Sequence, residues 1–435
     1  MKKTFFIFYF FTAFFVVGFC FFSFTQTLVN QGAFIQSMPG SFVRVNGSVL
    51  NNTNGLVTVN GDGTAASAEW YVTEDITNQS TITANGYIRL LRHWINNGTF
   101  NQGLSTVFME GGNQFLEGTT ETTFNNLTLL GTGIKTQKIN KSSVGILALN
   151  NLHLNTDIYT FFVQNPAVGA ITRDGTTITG GFVSSANGGF LSRVTNSTGS
   201  YLFPVGSTAN NSANTPGTGT TRYRPVILQP NDANSSTFVT RLANLDATLE
   251  TFNRAFLEPD ICATNPNFYH QINRTAGTSA VNLTVHYVES SDGLWQGLGR
   301  WEWVSANKWG AIPATSLVTG TTFNTVTKTN WNGFGIIPYI LINSRPIVDV
   351  ACANICPNTT TNVSSTVTPS GTYTYTWTVP EAFTPNPGNV SNFNSGIAGT
   401  YGLVVTDPLT GCESLIDECT INVQPTAGIS QITSP

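Results

Sequence analysis

From Gly32 to about Pro204 the sequence returns, roughly every 15 to 25 residues, to one theme: a short β-rich run, a turn at Asn-Gly or Gly, then another run. Gly40-Ser-Phe-Val-Arg-Val-Asn-Gly47, Gly55-Leu-Val-Thr-Val-Asn-Gly61, Asn85-Gly-Tyr-Ile-Arg-Leu-Leu91 and Phe124-Asn-Asn-Leu-Thr-Leu-Leu-Gly131 are instances. Asn and Gly tolerate positive φ and so suit tight turns, and stacked Asn side chains can bond along a ladder. Short strands at this spacing fit either a sandwich or a right-handed parallel β-solenoid, whose coils cover one another's apolar faces. The charge content points to the solenoid. Only 10 % of the 435 residues are charged, against roughly 25 % in ordinary soluble domains. The 45 asparagines outnumber the 42 Asp, Glu, Lys and Arg together. Like charges repeated on every rung would repel one another, whereas neutral amides and hydroxyls would not.

The same composition excludes other classes. Helical surfaces are normally laced with Glu and Lys, so a helical enzyme is not expected. Nucleic acid is not expected as a partner, because a net charge of −4 with scattered Lys and Arg gives no footprint for phosphates. Lys2 and Lys3 precede an apolar stretch from Phe5 to Phe24, which reads as a signal peptide over residues 1–25, leaving no membrane span after cleavage. An uncleaved signal anchor is the other reading of this stretch.

Export makes disulfides the expected fate of Cys352, Cys356, Cys412 and Cys419, which crowd one C-terminal segment; three pairings are open. A zinc site is disfavoured by the Cys-x3-Cys and Cys-x6-Cys spacings, so no metal is expected. Cys262 is left over and reads as a buried free thiol.

Domain boundaries follow shifts in pattern. The solenoid-like region is expected over 26–205. After it, Ser207 to Thr221 reads as a long loop, and alternating runs such as Ala280-Val-Asn-Leu-Thr-Val-His-Tyr287 make a β-sandwich over 206–344. A third unit spans 345–424. In its Thr372-Tyr-Thr-Tyr-Thr-Trp-Thr-Val379 run, Tyr373, Tyr375 and Trp377 share one strand face and form half of a sandwich core. Residues 425–435 read as a linker or a truncated end. The expected fold class is therefore all-β: a solenoid-like repeat, a middle sandwich and a C-terminal immunoglobulin- or PKD-like sandwich.

No reaction motif stands out: the chain has no Gly-x-Ser-x-Gly, no His-Glu-x-x-His and no phosphate-binding glycine loop. His93, His153, His270 and His286 are widely separated and read as structural. No catalytic residue and no cofactor is assigned. Trp295, Trp301, Trp303, Trp309 and Trp331 crowd the middle unit. Trp301 and Trp303, two apart on a strand, share one side and read as core. Trp309, Trp331 and Trp295 are the candidates for stacking on sugar rings.

Asn96-Asn-Gly-Thr-Phe100, Thr122-Thr-Phe-Asn-Asn-Leu-Thr128, and Gly199-Ser-Tyr-Leu-Phe-Pro-Val-Gly206 followed by Tyr223-Arg-Pro-Val226 occur in this order. They resemble the N-terminal module of surface-exported proteins of the Bacteroidetes. The third unit, with Tyr-Thr-Trp, Gly-Thr-Tyr and Gly411-Cys412, is similar to PKD-like and immunoglobulin-like modules of gliding-associated adhesins. The resemblance implies export by type IX secretion, although no sorting domain follows Pro435 here. The expected function is non-catalytic adhesion or surface architecture at the outer cell surface. The partner would be an extracellular glycan or a cell-surface or matrix component. The alternative is a secreted protein that binds or degrades polysaccharide.

Overall fold

The structure, a computed structural model, describes residues 26–425 except 65, 178, 186, 208–210, 213–214, 217–219 and 336. The leader at 1–25, much of the loop expected over 207–221, and nearly all of the closing segment lie outside the described residues. The fold is all-β, and its first part is a β-solenoid of about eight turns. Each early coil places one short strand on each of three faces, as in Ile76–Asn78, Thr81–Ala84 and Tyr87–Leu90. Equivalent strands of successive coils pair in parallel and in register, for example Trp94↔Ile76 and Phe108↔Arg89. The burial alternates along each strand because Cβ direction has period two: Val57, Val59, Ile82 and Ala84 point inward while their neighbours face out.

An asparagine column shows how this stack handles polarity. Asn30, Asn51, Asn78 and Asn96 are buried one above another. The Nδ2 of Asn30, Asn51 and Asn78 each donates to the Oδ1 of the next, at 3.0, 2.9 and 2.9 Å, while the last, Asn96 Nδ2, has no hydrogen-bond partner among the described residues. The second Nδ2 proton goes to a backbone carbonyl of Leu56, Thr81 or Thr99. An amide carries donor and acceptor together, so an identical residue on each coil satisfies its neighbour. The column ends at Gly118, one step past the Ile95↔Glu117 pair. Its φ is +114°, and a Cβ there would lie 2.1 Å from the Asn96 carbonyl oxygen. Two lysines also enter the interior. The Lys135 ammonium is held by the carbonyls of Gly111, Gly112 and Thr132 at 2.8, 2.8 and 3.0 Å, and burial lowers its pKa to about 8.

The solenoid runs into a sandwich without a break in the core. Phe190–Thr195 pairs in parallel with the coil strand Thr160–Val163 on one side and antiparallel with Ser236–Ala243 on the other. That sheet continues through Tyr269–Ala276 and Pro338–Ser344 to Gly297–Trp301 and Trp309–Ala311. A second sheet, Tyr201–Phe203, Val226–Pro230, Val281–Tyr287, Asn324–Trp331 and Thr315–Val318, completes the sandwich. One apolar cluster extends from Val45 in the first coil to Leu341 in the sandwich.

The C-terminal module packs two three-stranded antiparallel sheets around Val363, Trp377, Tyr401, Leu403 and Val405. Trp377 is buried, with Tyr373 and Tyr375 packed partly buried against the same core, as the alternation predicts. Two disulfides form, Cys352–Cys419 within the module and Cys262–Cys412 between the module and the sandwich. Their Cα atoms lie 5.9 and 5.7 Å apart, in the usual range. Two expectations are thereby corrected. Cys262 is not a free thiol, because the fold carries Cys412 across 150 positions of sequence to meet it. Cys356 forms no disulfide and is exposed, because Cys352 takes Cys419.

Replacing Asn78 by Ala takes one of its two bonds from Asn51 Nδ2 and removes the Asn78 donor from Asn96 Oδ1 and the Thr99 carbonyl, at roughly 1–3 kcal/mol for each buried group left unpaired. Chemical denaturation is expected to report a loss of at least about 2 kcal/mol, with Asn101→Ala on the exposed side of the next coil within about 0.5 kcal/mol. Cleavage at a protease site inserted after Ser344 is expected to leave the two pieces joined on a non-reducing gel. Reductant or Cys262→Ser should separate them.

Candidate functional site

The tryptophans are not brought together on a surface. Trp309 is fully buried, edge-on to Trp301 at 5.3 Å, and donates Nε1–H to the Phe252 carbonyl at 3.4 Å. Trp331 donates to the Tyr339 hydroxyl at 2.9 Å, and Trp295 to the Asp292 carbonyl at 2.7 Å. Both are buried, so the sugar-stacking role expected for Trp295, Trp309 and Trp331 is corrected. Trp301 and Trp303 do not share a side. The strand Gly297–Trp301 ends as Glu302 adopts φ +52°, and the two rings enter different clusters. The cover over Trp301 and Trp309 comes from the segment around the 3-10 turn Ala247–Glu250 and Phe252. Asp246 caps that turn through the Thr248 N–H and holds Arg254.

The histidines and several of the buried charged groups hold structural partners. His270 Nε2 meets the Arg224 carbonyl at 2.8 Å and His286 Nδ1 the Pro225 carbonyl at 3.0 Å, so each of those nitrogens is the donor. His93 Nδ1 accepts from the Phe115 N–H, and His153 stacks on Phe182 at 3.7 Å. Burial lowers the pKa of His153 and His270 to about 4. Asp292 is enclosed between Arg222 and Arg224 and also accepts from the Val288 N–H. Glu250 receives both Arg241 guanidinium arms, at 2.7 and 2.8 Å, and the Tyr269 hydroxyl. Asp417 lies in the strand Asp417–Ile421, where it accepts from the Val350 N–H. Among the described residues no group of three or more His, Cys, Asp or Glu could hold a metal ion.

Several charges on the solenoid exterior are paired across coils. Arg89 bridges Glu69 and Glu110 across three coils and lies over the Phe108 ring, Arg92 binds Glu74, and Lys138 binds Asp157.

A different concavity opens where the solenoid sheet becomes the sandwich sheet. On the outer face of that sheet, Thr123, Ser142, Phe162, Ser192, Val239 and Asn273 form one in-register row across six adjacent strands. Phe190, paired with Thr160, is the diagonal neighbour of Phe162. Phe162, Phe190 and Val239 are half-buried and floor a groove of about 320 Å³, with Thr237, Gln271 and Thr275 along its edges. This is at the lower end of ligand-pocket sizes, roughly 300–1,000 Å³. No ionisable side chain lines it. Arg241, two pairs along from Val239 and opposite Gln271, is neutralised by Glu250. Sequence reasoning missed Phe162 and Phe190. The run Thr160-Phe161-Phe162-Val163 shows that the two Phe face opposite ways, but not that the outer one is left without a cover.

Comparison with family models, with curated proteins and with solved structures finds no match to this chain.

Stability is expected to fall as pH drops from about 6.5 to about 4. In that window the unfolded chain takes up protons that His153 and His270 refuse while folded. Urea midpoints at several pH values check this. His153→Phe keeps a ring against Phe182 and should flatten part of the slope.

Proposed function

We propose that this protein is a non-catalytic, secreted surface protein that serves adhesion or cell-surface architecture. The observation that carries this reading is mechanical: one apolar core runs from Val45 to Leu341, and the terminal module is held to it by Cys262–Cys412. A body built this way transmits load along its length. Arg345 reinforces the junction by donating to the Glu413 carbonyl at 2.9 Å, and its own N–H bonds the Asp260 carbonyl at 2.8 Å. Two disulfides fit an oxidising compartment, and among the described residues no helix is long and apolar enough to cross a membrane. His93, His270 and His286 hold backbone partners, and Asp292 and Glu250 hold arginines, which supports a structural use of polar chemistry. The resemblance to type IX-exported surface proteins of the Bacteroidetes belongs to the same proposal, and so does the PKD-like character of the terminal module.

The test is incubation of the purified chain with a panel of polysaccharides, reading both retention and released sugar. The expected result is no release of reducing ends or unsaturated products from any member. Fragment release overturns the non-catalytic reading.

A further inference from the structure

The geometry points to the groove over Phe162 and Phe190 as a binding site for an uncharged polysaccharide segment. This rests on the surface-protein reading and names the ligand class that such a surface would take. Three observations carry it.

The groove combines ring faces with neutral donors and acceptors. Phe162 is flanked on the adjacent strands by Ser142 and Ser192, and the groove edges carry Thr237, Gln271 and Thr275. A sugar ring has the matching character: C–H faces that pack on an aromatic ring, and hydroxyls around the rim that exchange hydrogen bonds with hydroxyl and amide side chains. Thr275 and Ser142 already donate to the Thr237 carbonyl and the Thr123 hydroxyl, so a purely apolar ligand would cover the Gln271 amide without a partner, at a cost.

The charge pattern selects among glycans. With no ionisable side chain in the lining and Arg241 already bound to Glu250, the site has nothing to neutralise a uronate or sulfate. Bringing such an anion onto the groove would desolvate it without a counter-charge.

The backbone beneath is closed to peptides. Phe190–Thr195 is paired on both edges, with Thr160–Val163 and with Ser236–Ala243, and the sheet continues to Tyr269–Ala276. No free edge lies under the groove for an added β-strand, so a ligand must be held by side chains. Adjacent strands are about 4.8 Å apart, so successive positions in the Ser142, Phe162, Ser192 row advance by a step close to one pyranose residue of an extended chain.

Affinity gel electrophoresis of the full chain tests this, with xylan, glucomannan and mixed-linkage β-glucan as neutral probes and polygalacturonate as the charged one. Retardation by at least one neutral probe is expected, insensitive to added salt. It should be weakened tenfold or more by Phe162→Ala or Phe190→Ala and kept by Phe162→Tyr, with unchanged melting. Gln271→Ala and Asn273→Ala, which leave the rings in place, should weaken it at least threefold and serve if an alanine variant of Phe fails to fold. The proposal is overturned by retardation on polygalacturonate alone, by no retardation on any neutral probe, or by retardation indifferent to all four truncations. It is also overturned if sedimentation shows that the Phe truncations dissolve a dimer, which would make the groove a self-contact. Retention that depends on Phe162 together with sugar release would keep the groove and remove the non-catalytic reading. Retention indifferent to these residues would remove the groove alone.

Discussion

Everything in this protein depends on coils stacking in register, strand on strand, at a spacing of about 4.8 Å. Whatever occupies one inward or outward position faces its counterparts above and below. A column of carboxylates or ammonium groups at that spacing repels itself. A column of amides pairs donor with acceptor from coil to coil, as Asn30, Asn51 and Asn78 do up to Asn96. The scarcity of charge is therefore a condition of the stack rather than a property of its surface alone. Lys135 and Lys141 mark the limit: each enclosed ammonium needs polar oxygens around it, three turn carbonyls for Lys135 and the Glu117 carbonyl with the Thr122 hydroxyl for Lys141.

A stack of open coils has an end problem, since its last coil presents unpaired backbone and uncovered apolar side chains. Here the end toward the C-terminus is closed by sheet continuity. Phe190–Thr195 is at once the last parallel strand of its face and the first strand of the antiparallel sandwich sheet. The sandwich is held in turn by the Asp292 network, which ties Arg222 and Arg224 to the segment after Val281–Tyr287. The disulfide from Cys262 extends the same continuity to the terminal module. The groove over Phe162 is a by-product of that join, because it sits where coil strands and sandwich strands share one face.

The alternation within strands, the Asn and Gly turns, the Asn stacking and the shared face of Tyr373, Tyr375 and Trp377 were legible because each is a local rule of period two or of φ preference. The fates of Trp309, Cys262 and Phe162 were not. Trp309 lies on the outer side of its sheet and is buried only because Phe252 and the turn Ala247–Glu250 fold over it. Phe162, on the same face of the same sheet, has no such cover. A strand pattern tells which residues share a side; what arrives to cover that side comes from elsewhere in the chain.

The sequence by itself determined the all-β class, the repeated coil and the neutral chemistry of its rungs, because these follow from backbone preferences and from nearest-neighbour repulsion. Only the tertiary structure decided the Cys262–Cys412 pairing, the burial of the tryptophans and the opening of the groove at Phe162 and Phe190. Those depend on contacts across tens to hundreds of residues, where a segment's destination is set by the global packing of apolar surface and leaves no periodic mark in its own sequence.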